Sequence, residues 1–416
     1  MNTSIKNNNT NNVILSILIL SLFVHLRYET PLVIIRPFDL LCIIVFPFII
    51  LIKNSEDDKS NPGFSYLIPF FLIHAFSALT VGADNFIRES LQIMVIIFFA
   101  IILSKFITRV QYKETINYLF LGALIITVWT ILWHLGRGYW VGWKQLPDTR
   151  IIFTVITILS FLFTTFFERY KKNQILILLF ILLPILIMSG ERKALLIFLI
   201  LFLVRYSPGI SIKTIFLLFI IYLSFNILNT FIENPYINNK IDNMLNIMQT
   251  GNVNYFFSTG QISPNDTFSN LQRVFSFQVS KEYFLENPFL GIGTNKYVIL
   301  VNEQYYNLPK FMKLGIHGEL QRVLVENGLV GIIAYLFIWY KSWTRTKIIL
   351  LKAQKNRLIN KEQLNFLLYS IYLTFAFYVG TEASSTRSFL LLVIISLLPD
   401  YLGYNLSRIK NIKMNR

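Results

Sequence analysis

Long apolar runs recur along this chain, separated by short polar turns. A bilayer crossing needs about 20 mostly apolar residues. Runs at roughly 13–27, 37–53, 64–82, 89–108, 114–135, 150–168, 174–190, 194–206, 213–232, 322–340, 364–381 and 387–404 predict about twelve membrane helices. The polar start "MNTSIKNNNTNN" passes directly into apolar Val13 to Val24 with no small-residue cleavage site, so the first run reads as a span and not as a cleaved signal. The pattern changes once, from about Glu233 to Gly318, where Asn- and Pro-rich sequence forms the only long loop. The expected fold is therefore all-α and polytopic. Residues 1–232 form an N-terminal bundle of about nine helices, 233–321 an external loop, and 322–416 about three further helices with a tail.

The loop has periodicity of its own. "DTFSNLQRVFSFQVSKEYFLENP" predicts a helix, with Asp266 as N-cap and Asn287-Pro288 as its stop. Leu271, Phe275, Val279 and Tyr283 make one apolar stripe, while Arg273, Ser276 and Ser280 are assigned to another face. Such a helix can lie on a membrane with Arg273 in water or against headgroups.

Composition agrees with the membrane reading. Of 416 residues, 54% are hydrophobic and 14% charged, against about 25% charged in an average soluble domain. Mean hydropathy is +0.55. The net charge of +16 is read as the cytoplasmic-loop bias that orients membrane proteins, and not as a nucleic-acid footprint. Lys341, Arg345, Lys347, Lys352, Lys355, Arg357 and Lys361 occur without one acid between them, which makes that segment cytoplasmic. The basic tail, the segment around Lys171 and the Lys105–Lys113 stretch then also fall inside, and both termini are expected in the cytoplasm. Cys42 is the only cysteine, so neither an intramolecular disulfide nor a multi-thiolate metal site can form.

This topology puts "SGERKA" outside, in a charged turn between two short helices. Two readings stay open on topology alone. Glu191 can neutralise Arg192 or Lys193 in a solvated turn, or the cations can be retained for an anionic partner. After the loop helix, "NPFLGIGTNKY" is turn-rich but fails as a dinucleotide fingerprint, since the third glycine and the βαβ context are missing. No Walker-type loop occurs. Cofactors and metals are accordingly expected to be absent. His317 stands at the external mouth of the tenth helix as a candidate base near neutral pH. Glu319, Arg322 and Glu326 follow on successive turns, where they can pair. Arg387, in "TEASSTRSF", is another external cation with Glu382 nearby. His74 and His134 lie in apolar runs and read as packed residues. A transporter would need broken or polar helices along a path, and Pro184 and Gly122 are the breaks such a reading would use.

"NPFLGIGTNKY" followed by "HGELQRVLVENGLVGIIAYL" resembles the signature of bacterial O-antigen polymerases and O-antigen ligases. His317, Leu324, Glu326, Gly328, Leu329 and Gly331 match it in spacing. Gln321 replaces a usual leucine, and Gly318 a usual asparagine. "SGERKALL" is similar to the family's arginine turn, with Arg192 matching and Glu191 in place of a hydroxyl residue; Arg273 looks like the family's loop arginine. The resemblance spans roughly 189–336. It implies a GT-C-like glycosyltransferase of the bacterial inner membrane, acting in lipopolysaccharide and surface-polysaccharide biosynthesis on undecaprenyl-diphosphate-linked oligosaccharide. Under it, His317, Arg192 and Arg273 are the catalytic candidates. Arg192, Lys193, Arg273, Glu326 and Arg387 are the substrate-binding ones. Membrane lipid is a partner, a chain-length regulator protein a further expected one, and nucleic acid is excluded. A polymerase is preferred to a ligase because the His317-to-Gly331 run keeps the polymerase-like spacing.

Overall fold

A computed structural model describes residues 28–29, 34–51, 63–107, 268–306, 315–316, 318–381 and 385–414, together with scattered positions at 13–21, 200, 211–220 and 313. The description covers six of the predicted spans well: the second, third, fourth and tenth to twelfth runs give helices, while the runs from 114 to 190 lie outside the described residues and the run 194–206 is described only at residue 200. In chain order the helices are α1 (Pro37–Leu51), α2 (Ile68–Leu79), α3 (Ala83–Ile107), α4 (Phe268–Glu286), α5 (Lys296–Gln304), α6 (Glu319–Lys355), α7 (Lys361–Thr381) and α8 (Ser385–Met414). The chain is thus helical as expected, with one small addition: β1 (Tyr28–Glu29) pairs antiparallel with β2 (Ile34–Ile35) just before α1.

Local chemistry explains where these helices start and stop. Asp39 Oδ2 accepts the backbone N–H of Arg36 at 2.9 Å, satisfying one donor at the start of α1. Gly82, at φ +152°, makes the tight turn that separates α2 from α3. At α7, Asn360 Oδ1 accepts from the N–H of Gln363 at 2.7 Å and Gln363 Oε1 accepts from that of Asn360 at 2.9 Å, a reciprocal capping box. Basic residues 341–355, expected in a loop, continue α6 as helix, and the tail is helical through Met414. Straight-chain Lys, Gln and Leu in that stretch are good helix formers, so charge alone does not end the helix.

α6 is the axis of the described structure. It packs against α8 and α2, against α4, and through its second half against α7. α3 and α6 are the two helices long and apolar enough to cross a membrane, by length and composition, among the described residues. One core joins α1, α2 and α3 to the first half of α6 and to Phe389 of α8. A second fills the junction of α6, α7 and α8 around Leu350, Leu367, Ile371 and Ile395.

The loop helix appears as expected, but its apolar stripe is covered by protein. Phe275, Val279 and Tyr283 of α4 pack on Tyr297 and Val301 of α5, and on Ile292, Ile316 and Val325. Ser276 and Ser280 are buried with them, 2% and 3% exposed, which corrects their assignment to a separate face. A turn of 100° per residue leaves adjacent positions on a shared broad arc, and only Arg273 of the three is exposed. The helix is therefore a component of a small folded unit, and not a strip lying on lipid. α5, which the sequence reading left unassigned, supplies the opposing face.

Candidate functional site

The motif "NPFLGIGTN" and the motif "VENGLVG" form the two sides of one joint. α6 breaks at Gly328, whose φ of +65° and ψ of −164° are not helical. A break frees carbonyls below it and N–H groups above it, and these need partners. The 288–293 segment supplies them. Ile292 N–H donates to Val325 O and Gly293 N–H to Glu326 O, both at 3.0 Å; in return Leu329 N–H donates to Pro288 O at 2.9 Å and Val330 N–H to Phe289 O at 3.2 Å. The approach is close enough to demand glycine on both sides. A Cβ on Gly291 would stand 2.5 Å from Glu326 C, and one on Gly328 would stand 2.2 Å from Phe289 O.

Around this joint lies a buried polar hub drawn from four places in the sequence. His74 of α2, 0% exposed, sets Nε2 3.1 Å from Glu89 Oε2 of α3. Its Nδ1 lies 3.3 Å from Asn327 Oδ1 and 3.4 Å from Thr294 Oγ1. Asn327 Nδ2 donates to Thr294 Oγ1 at 2.9 Å, and Thr294 donates in turn to His74 O at 3.0 Å. Asn295, in the left-handed region at φ +65°, donates from Nδ2 to Glu89 Oε1 at 2.7 Å and to Asn85 Oδ1 at 3.2 Å. Ser77 Oγ donates to Glu326 O at 2.8 Å. Aromatic rings close the hub on its apolar side: Phe389 meets the His74 ring edge-to-face at 4.7 Å, with Phe70 beside it.

The pairing expected of Glu319, Arg322 and Glu326 is present. Arg322 grips Glu319 bidentately, Nη2 to Oε1 at 2.6 Å and Nε to Oε2 at 3.1 Å, while Nη1 reaches Glu326 Oε2 at 3.1 Å. Planar guanidinium suits this fork, and charge-assisted bonds of this kind are the strong ones. Glu319 is 0% and Glu326 3% exposed, so the Glu326 carboxylate is engaged inside the protein.

Of the other candidate site residues, Arg192, Lys193 and His317 lie outside the described residues, as does Glu382. Arg387 falls within α8. Arg273 is an exposed position on α4. One tie joins the helix of Arg273 to the first turn of α6: Gln321 Nε2 donates to Ser276 O at 3.4 Å. Ser276 is one turn from Arg273, and Gln321 follows His317 by four residues. The glutamine that departs from the family leucine thus links α6 to α4 by a hydrogen bond, and Leu320 takes the apolar contact with the main core. Gly318, the other departure, is the N-cap of α6 and has no side chain with which to cap it.

Burial pushes the Tyr297 phenol up to about 12. It therefore stays neutral near pH 7 and acts as a donor to Ser276 O at 3.3 Å, another tie between α5 and α4. Among the described residues no group of three His, Cys, Asp or Glu side chains is placed to hold a metal ion.

His74 is a packed residue, as expected, yet its packing is polar. Sequence inspection missed Glu89, Thr294, Asn295 and Asn327 as its partners. The available signal was an ionisable residue inside an apolar run, which calls for a partner.

Residues 175–336, less than half of the 416, match the family model described as O-Antigen ligase. The match is consistent with the O-antigen polymerase and ligase superfamily and with a membrane-associated chain. It contains Arg192, Lys193, Arg273, His317 and Glu326, and ends where the resemblance of the motifs ends. No curated protein matches the chain.

Proposed function

We propose that this protein is an O-antigen or surface-polysaccharide polymerase that joins undecaprenyl-diphosphate-linked repeat units on the outer face of the bacterial cytoplasmic membrane. The observation that carries the reading is the family match over 175–336, which encloses every catalytic candidate. The Gln321–Ser276 bond supports it, because it ties the helix of Arg273 to the residues that follow His317.

The chemistry needs few parts. An acceptor hydroxyl oxygen attacks the anomeric carbon of the donor glycan. As the new C–O bond forms, the bond from that carbon to the diphosphate oxygen breaks, and polyprenyl diphosphate leaves with the electron pair. The acceptor proton passes to His317. Arg192 and Arg273, assisted by Lys193, hold the negative charge that grows on the diphosphate. Displacement from the opposite face inverts the anomeric configuration. Arg387 is a further cation for the donor headgroup, and Glu326 serves the site by holding Arg322 beneath it. Nothing in this scheme calls for a metal or a cofactor.

The match to the O-antigen ligase family favours a second reading, in which the same donor chemistry moves a finished glycan to lipid A-core. Purified protein in liposomes, supplied with a lipid-linked repeat unit alone, separates them: a polymerase yields a ladder of longer lipid-linked products, a ligase yields none without a core acceptor. Arg192→Ala and His317→Ala should each abolish the ladder while protein abundance in the membrane is unchanged. Arg192→Lys should recover it only in part, since the planar fork is lost. Wild-type chain lengths from Arg192→Ala protein would remove that arginine from the mechanism.

A further inference from the structure

We infer that the Asn287–Gly291 turn is re-entrant: it enters the bilayer from the side opposite Lys341 and rests its apolar tip against lipid acyl chains. The inference does not depend on the proposed glycosyl transfer.

Two helices give the depth independently. Lys341, the first cation of the basic run that extends to Lys361, and the exposed Tyr340 beside it mark one membrane boundary on α6. From Lys341 to Glu326 is a rise of about 22 Å at 1.5 Å per residue. On α3, Lys105 is the basic residue of the last turn, and from it to Glu89 the rise is about 24 Å. Glu89 and Glu326 belong to the same hub, so the two estimates agree on its height. A hydrocarbon core is about 30 Å thick. The hub therefore sits several ångströms below the far boundary, and the turn bonded to Leu329 and Val330 is deeper still, about 16 Å from Lys341.

Exposed backbone at that depth is forbidden unless protein satisfies it. The joint goes far toward that condition: the N–H groups of Gly291, Ile292 and Gly293 and the carbonyls of Pro288 and Phe289 are paired. Asn287 is exposed where the turn begins, but what its tip leaves uncovered is apolar. Phe289 is 69% and Leu290 72% exposed, with Leu285 at 59%. They continue the outward face of α6, where Ile333 is 65% and Leu336 50% exposed. A strip of this kind in water would be costly, whereas against acyl chains it is matched. Lipid is thus the occupant that the depth and the continuity with α6 select.

The single cysteine makes the test clean. On a Cys42→Ala background, Phe289→Cys and, separately, Leu290→Cys are labelled with a nitroxide in liposomes, with Glu303→Cys on the exposed side of α5 as the aqueous reference. Both turn positions are exposed, so neither substitution removes a core contact, and each serves if the other fails to fold. Collision with oxygen should exceed collision with a water-soluble nickel chelate several-fold at 289 and 290, and the order should reverse at 303. Nickel accessibility at 289 and 290 equal to that at 303 would overturn the inference by placing the turn in water. Screening from both reagents would overturn it equally, by showing that another segment of this chain or a second copy covers the tip.

Discussion

α6 solves the problem of buried polar groups in two different ways along its length. Near its start the helix breaks at Gly328, and charged groups gather at the break: Arg322 between two glutamates, and His74 with Glu89 close by. From Lys341 on the helix is unbroken, and the fully buried polar groups are neutral hydroxyls, Ser342, Thr346 and Tyr372, bonded across α6, α7 and α8, while the ion pair of Arg345 with Asp400 at 2.6 Å is only part-buried. The comparison teaches where charge can be kept. A broken helix exposes backbone donors and acceptors that need specific partners, and the segment that meets them brings polar side chains along. An intact helix has already satisfied its backbone, so a few hydroxyls and one part-buried ion pair, Arg345–Asp400, accompany contact that is otherwise mainly Leu, Ile and aromatic packing. The first arrangement suits a site that must hold charge in place; the second suits a stalk.

Glycine should separate the two regions most sharply. In Gly328→Ala the added methyl meets Phe289 O at 2.2 Å and Gly291 N at 2.6 Å, and the backbone sits at a φ that side chains resist. The neighbours are backbone atoms that cannot turn aside. Destabilisation of more than about 4 kcal/mol is expected, seen as loss of monodisperse protein in detergent. Gly403→Ala, on α8 against the stalk, meets only Ile349 Cδ1 at 3.6 Å and should be neutral or stabilising by up to about 1 kcal/mol, as alanine is in a helix. Equal behaviour of the two variants would erase the distinction.

How much of this was open to sequence reading follows the same division. The helices were legible because their cause is local: apolar runs of spanning length gave α1, α2, α3 and α7 and the starts of α6 and α8 to within several residues, while α6 and α8 run on through basic sequence to Lys355 and Met414, and the Asp266–Pro288 signals framed α4. Glu319, Arg322 and Glu326 were legible as partners because helical spacing places them on one face. The joint was not. Gly291 and Gly328 stand 37 positions apart, and each reads alone as an ordinary flexible residue. Only their close approach shows why both motifs carry glycine. Ser276 and Ser280 were misjudged for a related reason, since polar identity was taken as exposure while the opposing face, α5, was unassigned. Arg192 and His317 were read through resemblance, and their roles rest on the proposed chemistry.

Arg322 offers the next largest contrast. Removing it as Arg322→Ala leaves two buried carboxylates without their cation, a loss of about 3–5 kcal/mol for a pair of this type. Thermal unfolding in detergent should show a fall of many degrees. If the cost comes from uncompensated charge, Glu319→Gln and Glu326→Gln added to Arg322→Ala should restore part of it, and the double-mutant cycle should show strong coupling. Additive losses would mean that Arg322 acts through its aliphatic packing and its position 5.8 Å from the Phe389 ring, and not as a counter-ion.

The stalk should give the smallest effect, and its bonding explains why. Ser342 has one hydroxyl proton and donates it to Ile395 O at 2.6 Å. Its oxygen must then accept from Tyr372, 2.7 Å away. Thr346, 3.1 Å from the same phenol, donates to Tyr372 in turn. Tyr372→Phe removes the middle of this chain but strands little, because the Thr346 hydroxyl can turn to the carbonyl one turn back in α6, and Ser342 keeps its bond to Ile395. The ring packing against Trp343 at 4.7 Å is unchanged. A loss of about 1 kcal/mol is expected, the net worth of an ordinary hydrogen bond, measured as a shift of a few degrees in the same melt that reports on Arg322→Ala. A Tyr372→Phe loss as large as that of Arg322→Ala would show that neutral hydroxyls are as costly to disturb here as paired charges, and the contrast between the two halves of α6 would fail.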